Sequence, residues 1–113
     1  MDEKPIQLYR FKSTVELLAA PASMQLAALP DGICKADELA LEFDHWHGWL
    51  ISSGISLDEQ QTKALSDLDS LLSTLSGLGD EELWTDSAVE HDSRWGKVRE
   101  LAALVLGAFQ WHG

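Results

Sequence analysis

Along most of the chain apolar residues return at spacings of three and four, the signature of helices that bury one face. Leu39, Phe43, Trp46 and Leu50 stand four, three and four apart and predict a helix over 36–53, with Gly54 as the left-handed residue that ends it. The clearest stripe is Ala64, Leu65, Leu68, Leu71, Leu72 and Leu75, set against a polar side of Asp58, Lys63, Asp67, Ser70 and Thr74. It predicts a helix over 57–76. Ser56-Leu57-Asp58-Glu59 has the spacing of a capping box at its start, and Gly77 with Leu78 behind it reads as the stop. Over 93–110, Trp95, Val98, Ala102, Val105 and Phe109 share a face that Leu101, Leu104 and Ala108 widen. So broad a stripe belongs in the middle of a bundle. The two most regular stripes are natural partners, so Leu65, Leu68, Leu72, Val98, Ala102 and Val105 should be buried together.

The first third of the chain is less regular. Ser13 and Glu16 have capping-box spacing and place a helix over 13–29. Pro21 divides it, because proline lacks an amide hydrogen and its ring collides with the carbonyl four residues back. Pro30, Asp31 and Gly32 form a turn signal. Ahead of Ser13, Ile6, Leu8, Tyr9 and Phe11 alternate only weakly, and residues 1–12 read as an extended arm. Residues 80–84 and 87–90 fit short helical turns. The pattern predicts an all-α, single-domain bundle of four principal helices, and 113 residues are the size of one such domain.

Composition agrees with a globular chain, at 45% hydrophobic and 24% charged residues. Cys34 is the single cysteine and cannot form an intramolecular bridge. No leader-like start and no apolar run of about 18 residues is visible, so a cytoplasmic protein is expected. The net charge of −11 adds a sharper feature because of where it sits. Residues 1–35 are neutral overall; residues 36–92 carry fourteen acids against one base, Lys63; the last twenty-one residues return a net +2. A field so concentrated disfavours nucleic acid and anionic membrane as direct partners, and it fits either a solvated face or a docking face for a cationic protein.

Sites for chemistry are weakly marked. Asp44-His45-Trp46-His47 holds metal-ligand residue types, but on a helix His45 and His47 point about 200° apart, whereas helical ligand pairs sit three or four residues apart. No metal and no cofactor is expected. Cys34 has no histidine near it in sequence, and neither a nucleophile elbow nor a phosphate-binding glycine loop occurs, so no catalytic residue and no enzymatic activity is expected. The five tryptophans are the remaining signal. Trp46 and Trp95 fall on core stripes. Trp49, Trp84 and Trp111 lie off them and are candidates for a partner or ligand surface. Trp84, with Asp80, Glu81, Glu82, Asp86 and Glu90 around it, is the leading candidate for partner binding.

Glu82-Leu83-Trp84-Thr85 and the run Trp95-Gly96-Lys97-Val98-Arg99-Glu100-Leu101-Ala102, in a short acidic helical chain, resemble small bacterial toxin-immunity proteins. The resemblance implies a non-enzymatic inhibitor that sequesters a basic toxin effector, such as a nuclease-type toxin, by electrostatic steering and charge mimicry. A different class, a regulatory or accessory domain binding a small molecule in a pocket of Trp46, Trp49 and Trp84, is the alternative.

Overall fold

The computed structural model describes residues 4–110. They form helices α1 (Lys4–Ala19), α2 (Ala22–Ala27), α3 (Lys35–Ser52) and α4 (Glu59–Gly77), a 3-10 turn (Glu81–Trp84), and helices α5 (Asp86–His91) and α6 (Ser93–Ala108). No strand occurs among the described residues, and the long helices α1, α3, α4 and α6 form the expected all-α bundle.

The expected extended arm is instead the first half of α1, as far as residues 4–12 are described. Phe11, Val15 and Leu18 are fully buried at spacings of four and three. Their burial carries the helix through Ser13, which therefore lies within α1 and caps nothing. Residues 6–10 show little periodicity because Ile6 and Tyr9 remain 61% and 67% exposed.

Pro21 does divide the chain, standing at the N-cap of α2, which then ends at Ala27 rather than near 29. The break frees carbonyls at the end of α1, and Gln25 meets them. Gln25 is fully buried, and its Nε2 donates to the Leu17 and Leu18 carbonyls at 3.1 and 2.9 Å. Its Oε1 accepts from Arg99 Nη1 at 3.1 Å, and Arg99 also donates to the Val89 carbonyl at 2.9 Å. One buried amide thus joins the end of α1 to α6 and α5, satisfying groups that would be costly unpaired.

The cap of α4 is Asp58 rather than Ser56. Its carboxylate accepts the Gln61 amide at 2.7 Å, while Gln61 Oε1 accepts the Asp58 amide at 3.0 Å. Leu57 stays outside the helix and packs on the core. At the other end Gly77 is still helical, and the left-handed residue is Gly79, with φ of 69°. Leu78 is 53% exposed.

The central pair of the bundle is α1 with α6; α3 packs on α1, and α4 packs on α6. All six residues expected to be buried together are so, and Trp95 joins them. Leu104 departs from the expected stripe: it is 61% exposed on the outer side of α6. Phe11 links the layers, with its ring 6.5 Å from Phe43 and 6.0 Å from Phe109. Three sides of the bundle are closed in this way. Along the fourth, between α3 and α4, the helices stand apart around a groove of about 440 Å³.

Candidate functional site

The acidic segment after α4 is a sequence of three caps. Asp80 Oδ1 accepts the Glu82 amide at 3.1 Å and opens the 3-10 turn; Thr85 Oγ1 accepts the Ala88 amide at 3.1 Å and opens α5. Asp92 Oδ1 then accepts the Arg94 amide at 2.8 Å and opens α6. Each cap satisfies orphan amides and redirects the chain, so the segment folds as a corner across the end of the bundle. Buried Leu83 and Val89 seat it on the core, and Trp95 Nε1 donates to the Leu83 carbonyl at 2.9 Å.

Arg94 closes the corner electrostatically. Its Nε donates to Asp92 Oδ1 at 2.9 Å, and its Nη2 to Asp92 Oδ2 at 2.7 Å and to Asp80 Oδ2 at 3.1 Å. The forked guanidinium matches the carboxylate geometry. Hydrogen bonding to Arg94, through its side chain and then its amide, holds the Asp92 carboxyl at about 2, below its ordinary 3.8, and the same bonds push Arg94 upward. An open groove of about 540 Å³ lies beside this pair, lined by Glu82, Thr85, Ser87 and His91 among others.

The six expected partner-binding residues divide on this corner. Glu81, Glu82, Asp86 and Glu90 are exposed. Among the described residues Glu81, Glu82 and Asp86 form no ion pair, while Glu90 lies 3.4 Å from His91 Nε2. Asp80 is paired with Arg94, which it shares with Asp92. Trp84 is half-buried, edge-on to Trp95 with ring centroids 5.8 Å apart, and its carbonyl accepts from the Cys34 thiol at 3.3 Å.

Elsewhere Trp46 and Trp49 meet edge-on at 6.3 Å, with Trp46 Nε1 donating to Glu42 at 3.2 Å. Both are half-buried against the core, and Trp46 lines a groove between α1 and α3. Trp84 lies beside Cys34 at the start of α3, roughly 18 Å along the helix from Trp46, so the three rings do not converge. Trp111 and His112 lie outside the described residues. His45 is exposed and edge-on to Trp46, whereas His47 stacks on Phe43 and places Nδ1 3.6 Å from Asp69.

Two features went unread in the sequence. The pairing of Arg94 with Asp80 spans fourteen residues and has no local signal. The α3–α4 groove does have one: Asp37, Ala40, Leu41 and Asp44 on α3, and Asp69, Leu72, Ser73 and Ser76 on α4, each follow the 0, 3, 4, 7 spacing of a helical stripe. That signal becomes legible only when the two helices are known to be neighbours. No protein-family model, curated protein or solved structure matches the chain.

Proposed function

We propose that this is a non-enzymatic acidic binding protein that sequesters or inhibits a cationic protein partner, with a bacterial nuclease-type toxin as the partner and immunity as the biological role. The observation that carries the reading is the concentration of fourteen acids against one base between residues 36 and 92. Exposed Glu81, Glu82, Asp86 and Glu90 lie on a corner fastened by caps, Arg94 and the Trp95 indole. Carboxylates on a fixed backbone need little further ordering on association, and their summed field accelerates encounter with a positive surface.

The experiment expresses the products of the open reading frames adjacent to the gene and takes one that arrests growth. Co-expression with this protein should relieve the growth arrest that product causes. In stopped-flow mixing, Glu81→Lys with Glu82→Lys should slow association about tenfold at low salt and flatten its salt dependence, with folding unchanged. Trp84→Ala should instead speed dissociation, since a rigid aromatic anchor acts on residence time. An association rate indifferent to salt and to both variants, with binding lost on substitutions in residues 6–35, would overturn the reading.

A further inference from the structure

We propose that the α3–α4 groove of the bundle receives an amphipathic helix of a protein partner, with an apolar side chain on Leu41 and Lys or Arg side chains on Asp37, Asp44 and Asp69. The proposal rests on the reading of the protein as an acidic binder and gives that binder a second, geometrically distinct surface.

A four-helix bundle ordinarily closes four seams, and here three are closed. At the fourth, Phe43 and Leu72 are buried in the core beneath the groove, and Leu41 stands 54% exposed in its wall. Asp37 and Asp44 are exposed and, among the described residues, form no ion pair; Asp69 has only His47 nearby, at 3.6 Å. Among the described residues no lysine or arginine lines the groove. The groove therefore presents carboxylates from both helices around one exposed leucine, a surface complementary in charge to a cationic partner.

The arrangement specifies its occupant. Asp37 and Asp44 are seven residues apart, two helical turns or about 10 Å, with Leu41 between them. A helix lying along the groove matches this with cations about two turns apart and an apolar residue between, the helix-in-groove mode of recognition. A second copy of this chain does not fit, because net charge −11 would press carboxylates against carboxylates. The groove also runs toward the acidic corner: Asp37 follows Cys34, whose thiol meets Trp84, and Gly77 ends α4 just before Asp80. A basic partner steered to the corner thus meets the groove beside it.

The test is a residue-resolved NMR titration of the full chain with a synthetic Leu/Lys amphipathic peptide of about fourteen residues, long enough to be helical when bound. Controls are the same peptide with Glu for Lys, and spermine as a polycation without an apolar face. Amide shifts should concentrate in 37–44 and 69–77. Leu41→Ser should weaken binding about fivefold and Asp44→Lys about tenfold, with unchanged far-UV circular dichroism, since both side chains are exposed. Shifts centred on 80–90 would overturn the groove proposal while leaving the acidic-binder reading standing. Equal binding by the Glu peptide, the same shifts with spermine together with an indifferent Leu41→Ser, or no binding of the Leu/Lys peptide would overturn it too. Groove binding by the peptide without neutralisation of the neighbouring toxin-like product would instead sink the functional reading and keep the groove.

Discussion

The corner after α4 and the edge between α3 and α4 are both acidic, yet their carboxylates do different work. At the corner, Asp80 and Asp92 cap helices and grip Arg94, so part of the charge is consumed in building the fold. Along the edge, Asp37 and Asp44 bond to no cation among the described residues and stabilise nothing across the groove. The local charge of a sequence therefore says little about availability. A carboxylate beside an orphan amide or an arginine is structural, while one beside its own kind remains open to a partner.

The sharpest contrast is between a closed seam and the open edge. Leu68→Ala, at a fully buried site on α4, should cost about 2–5 kcal/mol in denaturant unfolding, whereas Leu41→Ala should cost less than about 0.5 kcal/mol. Equal losses would mean that the edge is packed after all. Next in size is Gln25→Leu, expected to cost about 1–3 kcal/mol because the Leu18 carbonyl and Arg99 each lose a buried partner. Hydrogen exchange should quicken in α5, which Arg99 ties down through Val89, and stay unchanged over 37–44.

A titration separates the two regions further. The folded-state pKa of Asp92 is depressed, so the pairing stabilises the protein above about 3.8 and that contribution is lost as the pH falls through about 2. Arg94→Leu should raise the Asp92 carboxyl toward 3.8, read by carbon-detected NMR, and shift the acid loosening of the corner to higher pH. An Asp92 titration unmoved by this change would separate the carboxyl from the guanidinium. The smallest effect belongs to Asp44→Asn, which removes one of the facing charges and should raise stability by a few tenths of a kcal/mol, less at high salt.

Helix content and most of the core were legible because they depend on local periodicity. The Leu65–Leu68–Leu72 and Val98–Ala102–Val105 stripes are buried as read. Errors arose where two local signals competed. Ser13 looks like a cap, but burial of Phe11 on one side and Val15 on the other keeps the helix unbroken. Ser56 and Asp58 are both capping residues, and the one with Gln61 three residues on closes the box. At the corner, the cluster around Trp84 was visible as composition, but its division into exposed Glu81, Glu82, Asp86 and Glu90 and tied-down Asp80 was not.

What the sequence determined by itself is the helical class, the stripes that face inward and the uneven distribution of charge, since each follows from residue type and spacing along one chain. Only the tertiary structure decided that Arg94 reaches Asp80, that Trp84 turns onto Trp95, that Gln25 repairs the break at Pro21, and that α3 and α4 border an acid-lined groove. These relations join residues seven or more apart in the chain, and they depend on how helices pack, which no local period encodes.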